Sequence, residues 1–116
     1  MCIACTCRAS QNSQSKPHAH VWMQVIEGKN FSPNHDLLHS FYTIDGYVQV
    51  TVNSEAGATS LATRSERGHV SPVWNQMLAF SDVALGNTFT VSLFDHKKLS
   101  SDVLLGQVGY LSSNCH

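Results

Sequence analysis

The chain has 116 residues, 7 basic and 8 acidic, with a formal net charge of −1. That length fits one domain with one modest core, and a 42% apolar share is ordinary for a soluble fold. The balanced charge gives no global field toward nucleic acid or membrane, so no nucleic-acid partner is expected and any membrane attraction must be local.

The chain opens with Cys2, Cys5 and Cys7, and the fourth cysteine, Cys115, is next to last. An even count clustered at the ends suits an oxidising compartment, with Cys115 tying one terminus to the other. A secreted location is favoured on this ground, a cytoplasmic one being the alternative. Free thiols, or a zinc site using three of these cysteines with His116 or His18, stay open. Met1 leads into Cys2 with no basic region and no apolar block, which suggests a leaderless chain or a mature form. Residues 8–18 are polar and aperiodic and read as a linker. Residues 1–19 are therefore a Cys-containing lead-in, and 20–116 a single domain. His18 and His20 share a face if extended, and with a third ligand could hold zinc or copper.

From residue 20 onward the period is two. Val21, Met23 and Val25 alternate, as do Val48, Val50 and Val52, and Phe89, Val91 and Leu93. Alternation with β-branched residues marks half-buried strands. Six strands are expected, at about 20–27, 46–53, 58–64, 73–80, 88–94 and 104–111. Turn residues separate them at Ser32-Pro33-Asn34, Glu55-Ala56-Gly57, Gly68 to Pro72 and Leu85-Gly86-Asn87. No stretch carries a sustained helical period, and no apolar run approaches the roughly 18 residues of a spanning helix. The expected class is all-β, an antiparallel sandwich. Trp74 is expected in packing, and Trp22 outward at a sheet edge.

The stretch from Phe94 to Gly106 carries the chemistry. A strand runs into a loop with Asp95 at one end and Asp102 at the other, and Lys97 and Lys98 stand between them. Carboxylates on a loop at the end of a β structure suit a hard cation such as calcium.

Three patches resemble one family. Thr43-Ile44-Asp45-Gly46-Tyr47-Val48-Gln49-Val50 resembles the Asp-Pro-Tyr-Val-x-Val element of C2 domains. Ser71-Pro72-Val73-Trp74-Asn75-Gln76 resembles their Asn-Pro-x-Trp-Asn-Glu element. Leu93-Phe94-Asp95, followed by Leu104-Leu105-Gly106, resembles their third calcium loop and the next strand. A closer likeness is to the C2 domain that ends perforins, through the Cys-x-Cys cluster, Phe80-Ser81-Asp82-Val83-Ala84-Leu85 and Asp102-Val103-Leu104-Leu105-Gly106. The resemblance implies a C2-type antiparallel β-sandwich, whose full form has eight strands; with six read here, a sandwich of six to eight strands, shortened unless residues 8–20 add to it, is expected. It also implies peripheral binding to anionic phospholipid membranes and a role in innate immune defence. A missing edge strand would leave unpaired backbone and favour a homodimer through a sheet edge.

Carried onto this chain, the family's calcium positions fall on Asp45, Asp95 and Asp102, with Asp36 near enough to join from a shifted loop. Other positions that the family fills with carboxylates fall on His39, Lys97 and Val103. Three carboxylates plus loop carbonyls suit one weakly held ion. A lysine charge about 4 Å from a divalent ion opposes it by roughly 8 kcal/mol at an effective dielectric of 20, before screening. Read the other way, Lys97, Lys98 and Leu99 form a tip for anionic headgroups, each basic residue contributing about 1 kcal/mol there. His39 and His96 would add charge on acidification. Binding to anionic liposomes is therefore expected to be stronger near pH 5.5 than at 7.4; equal binding would remove the histidines from the account. An enzyme is not expected: there is no nucleophile elbow, phosphate-cradling glycine loop or paired-Glu arrangement. The alternative reading is a protein-interaction sandwich that binds neither lipid nor calcium.

Overall fold

The computed structural model describes residues 2–10, 18–29, 44–54, 57–69, 71–84 and 86–112. Eight strands lie among them: β1 (Cys2–Ala9), β2 (His18–Lys29), β3 (Ile44–Ser54), β4 (Gly57–Ala62), β5 (Glu66–His69), β6 (Val73–Ala84), β7 (Thr88–Asp95) and β8 (Val103–Leu111). All the pairings are antiparallel. They build two sheets, one in the order β1-β2-β6 and one in the order β4-β3-β7-β8, with β5 also paired to β3.

Burial follows the alternation. Val21, Met23 and Val25 of β2 face Val48, Val50 and Val52 of β3 and Phe89, Val91 and Leu93 of β7 across one core. Each such side chain contributes about 1.5–3 kcal/mol by leaving water. Trp74 is fully buried, as the sequence suggests, and its Nε1–H donates to the Gly46 carbonyl at 3.0 Å. That bond joins β6 of one sheet to β3 of the other. A cleft between Val52, Thr59 and Leu61 on one side and Phe80 and Val83 on the other marks the same overlap, with β6 above the β3–β4 side.

The six strands expected from the periodicity are present, and two more join them. The cysteine-rich start, expected as a lead-in, forms β1 and pairs with β2 along its whole length. β5 is short and polar, and pairs with β3 at Ile44 and Gly46. Because β4 pairs with residues 49–54 of β3 and β5 with residues 44–46, the two fill one strand position in succession. Thr63 plugs the break: it is buried, its N–H donates to the Val48 carbonyl at 2.9 Å, and its hydroxyl accepts from the Val48 N–H at 3.0 Å. Trp22 is half-buried on the outer face of β2, the central strand of its sheet, not at an edge.

Two interruptions in the β2–β6 register, between Ala19 and Val21 and between Val25 and Glu27, lie opposite Asp82 and Asn75. These residues have φ of 57° and 47°. Left-handed backbone in a bulge is a place where Asp and Asn are tolerated. The bulge at Asp82 breaks the alternation of β6, so that Phe80 and Val83, three residues apart, both turn into the core.

Candidate functional site

β3 begins, β7 ends and β8 begins at one end of the sandwich, where Gly46 pairs with Asp95, and Asp95 with Val103. Asp45, Asp95 and Asp102 therefore share that end with the loop of His96, Lys97, Lys98 and Leu99. Asp36 and His39 lie outside the described residues, as do Cys115 and His116.

Each of the three carboxylates is held by donors of the chain itself. Asp95 is 3% exposed. Its Oδ1 accepts from the Asp45 N–H at 3.0 Å, and its Oδ2 lies 2.9 Å from Lys97 Nζ. Asp45 Oδ1 accepts from the Gly68 N–H at 2.8 Å, and the Asp45 carbonyl accepts from the His96 N–H at 2.9 Å. Asp102 Oδ2 accepts from the Tyr47 hydroxyl at 2.5 Å. Asp102 Oδ1 accepts from the Lys97 N–H at 3.0 Å and lies 3.1 Å from His96 Nδ1. A buried carboxylate needs a counter-charge, and Lys97 supplies it to Asp95. Sequence placed Lys97 as a cation opposing an ion; in the fold it stands where it neutralises the deepest of the three aspartates.

This donor set does not fit a divalent ion as it stands. Calcium takes six to eight oxygens, whereas five of the six oxygens of these carboxylates already face N–H, O–H or ammonium groups. Among the described residues no three His, Cys, Asp or Glu side chains gather closely enough to hold a metal.

Tyr47 is the residue that sequence reasoning left without a role. It stacks on Phe94 with centroids 5.4 Å apart and meets His96 edge-on at 6.5 Å. Its pKa is pushed up to about 12, first by desolvation and then by the Asp102 carboxylate. The Asp102 carboxyl is held below its ordinary value, first by the Tyr47 hydroxyl and then by the Lys97 amide. A depressed carboxyl pKa stabilises the fold above the unfolded value of about 3.9, and the contribution is lost as pH falls through the folded value. The Lys97 amide proton resonance should therefore shift in an acid titration with a midpoint below about 4. Asp102→Asn should abolish that step, and a wild-type midpoint above 4 would contradict the network. The available signal for Tyr47 was its outward phase beside Gln49, at the same end as the loop.

The other expected tip residues are open to solvent. His96 and Lys98 are exposed, and Leu99 is 100% exposed. Val103 and Leu104, at the start of β8, are nearly half exposed.

A two-sheet sandwich with acidic residues and an exposed basic-apolar loop at one end defines a class of small β modules. The family description that matches it is "C2 domain", over residues 19–114, and the chain belongs to that family. C2 domains commonly bind phospholipid membranes and calcium. Solved structures agree on the fold. The chain is similar to the RIM C2A domain from Drosophila at 15% identity and a TM-score of 0.74, covering 97% of this chain and 86% of that one. It is similar to human GIVD cytosolic phospholipase A2 in complex with methyl gamma-linolenyl fluorophosphonate at 21% identity and a TM-score of 0.71, covering 96% of this chain but 15% of that enzyme. It is similar to the C2A domain of plant extended synaptotagmin 1 at 18% identity and a TM-score of 0.69, covering 87% and 73%. No curated protein matches.

Proposed function

We propose that this chain is a peripheral phospholipid-binding C2 module, without enzymatic activity, whose tip is organised by Lys97 in place of calcium. The observation that carries this is the Lys97 ammonium 2.9 Å from the buried Asp95 carboxylate. With the aspartates internally paired, the loop needs no divalent ion to hold its shape, and Lys98 and Leu99 project from it. A basic residue there contributes about 1 kcal/mol toward an anionic leaflet, and Leu99 adds an apolar tip.

Sedimentation with phosphatidylserine vesicles, in calcium or in chelator, is the test. Equal binding in both is expected. Binding only in calcium would return the site to a metal, and no binding in either would leave the protein-interaction reading. Lys98→Ala should weaken binding about fivefold, the equivalent of about 1 kcal/mol, and Leu99→Asp should weaken it further; both are read from the lipid concentration at half-sedimentation.

The perforin likeness of the sequence patches supports a place in extracellular innate defence. On that reading Cys7 is one half of a disulfide, while Cys5 stays a thiol with its pKa pushed up to about 11 by desolvation. Mass spectrometry after alkylation without reductant should then find Cys5 labelled and Cys7 protected.

A further inference from the structure

The outer face of the three-stranded sheet departs from simple alternation. Strand residues turned to solvent are ordinarily polar, yet Trp22 lies there half-buried and Met77 is 55% exposed. Thr6, Arg8 and Gln24 join them, and with Cys7 these residues line a cleft of about 480 Å³. That volume lies within the range of about 300–1,000 Å³ usual for small-molecule sites. The Cys7 sulfur is already in a disulfide, so it contributes a wall and no thiol chemistry.

The register sets the shape of the cleft. Arg8 pairs with Trp22 and Thr6 with Gln24 across β1 and β2. Across β2 and β6, Gln24 pairs with Met77 and Trp22 with Ala79. Paired residues put their side chains on one face. Neighbouring strands lie about 4.8 Å apart and alternate residues of one strand about 6.6 Å. Arg8, Trp22, Thr6 and Gln24 therefore mark the corners of a block about as large as one six-membered ring. Ala79 ends at its Cβ, so the ladder partner on β6 does not build over the indole.

The chemistry of the lining selects the ligand. Arg8 is exposed, and among the described residues no acidic side chain lines the cleft. A guanidinium takes a carboxylate through two parallel hydrogen bonds. The Thr6 hydroxyl and the Gln24 amide both donate and accept, which suits the hydroxyls of a ligand. The indole of Trp22 offers a flat apolar surface to C–H groups. A plain aromatic acid would leave Thr6 and Gln24 unused, and a phosphate dianion would meet a single cation.

We propose that this cleft binds an acidic sugar, a pyranose bearing a carboxylate. The carboxylate lies on Arg8, the C–H face of the ring on Trp22, and the ring hydroxyls on Thr6 and Gln24. The cleft belongs to the β1-β2-β6 sheet, whereas β3, β7 and β8, which carry the lipid-facing end, belong to the other. The inference does not depend on membrane binding.

The test is a nuclear magnetic resonance titration of the whole protein with methyl β-glucuronide, compared with methyl β-glucoside and benzoate. The Trp22 indole N–H and the Arg8 and Gln24 amides should shift saturably with the glucuronide. A Kd of about 1 mM is expected for one solvent-screened ion pair and one stacked ring. The indole N–H of Trp74, which is fully buried, should not move. Glucoside and benzoate should each bind at least tenfold more weakly. Arg8→Ala should reduce glucuronide binding to the level of the glucoside, and Gln24→Ala should weaken the glucuronide but not benzoate. Trp22→Ala should lose both sugars. Far-UV circular dichroism and sedimentation with phosphatidylserine vesicles should stay at wild type for the Arg8 and Gln24 variants. Benzoate bound as tightly as the glucuronide would mean a plain carboxylate site, and glucoside bound as tightly would leave Arg8 without a role. No saturable shift would mean no site, and any of these three results overturns the proposal.

Discussion

Lys97→Asp is expected to convert vesicle binding from calcium-insensitive to calcium-dependent. The substitution removes the ammonium that neutralises Asp95 at 2.9 Å and puts a carboxylate in its place. Two like charges about 4 Å apart at an effective dielectric of 20 repel by roughly 4 kcal/mol. Without divalent ion the variant should therefore melt several degrees below the wild type. Calcium at a hundred times its dissociation constant would restore about 2.7 kcal/mol, and vesicle binding with it. Lys97→Gln separates the two effects. It leaves Asp95 without a counter-charge but adds no ligand, so it should lose about 1–2 kcal/mol, less than a fully buried pair because Lys97 is partly exposed, and should gain no calcium response. A wild-type melting temperature that rises with calcium would sink this account, because it would mean that the ion displaces Lys97.

Trp74→Ala is expected to have the largest effect on stability. The indole is 0% exposed, and truncating a buried Trp to Ala costs about 3–5 kcal/mol. It also leaves the Gly46 carbonyl without its donor, adding about 1–3 kcal/mol if no water reaches it. Against a total of about 5–15 kcal/mol for a domain, the variant should be partly unfolded at room temperature. Trp74→Phe keeps most of the volume and loses the donor, so about 1–3 kcal/mol is expected. Urea denaturation separates the two, and an alanine variant with a wild-type midpoint would show that the indole does not join the sheets.

The alternation of Val21 to Val25, Val48 to Val52 and Phe89 to Leu93 is legible because each strand has one face in the core. β1 carries the same signal, with Ile3, Cys5, Cys7 and Ala9 turned to the core. It is missed when cysteine is weighed for its redox chemistry rather than as a small apolar residue. β5 has no alternation to read: Glu66, Arg67, Gly68 and His69 lie in a strand only through backbone pairing with β3. Its Gly68 N–H then becomes a donor to Asp45, a contact between residues 23 apart. The loop of Asp95 and Asp102 is legible in outline for the same reason as the strands that frame it. The pairing within it is not, because whether Lys97 repels an ion or replaces one depends on which way its side chain turns. Arg64 is another residue without a sequence signal. Its guanidinium donates to Glu66 Oε1 at 2.8 Å and to the Trp74 carbonyl at 2.6 Å, fastening the β4–β5 corner to the opposite sheet.

A counter-ion carried on the chain differs in kind from one drawn from the medium. Its local concentration is fixed by the length of its tether: Lys97 is two residues from Asp95 and is supplied each time the protein folds. On this reading the tip has no unloaded form and reports nothing about rises and falls of divalent ions around it. Timing would then come from how much of the protein is made and delivered, and the choice of membrane from the surface charge met by Lys98 and the apolar contact made by Leu99.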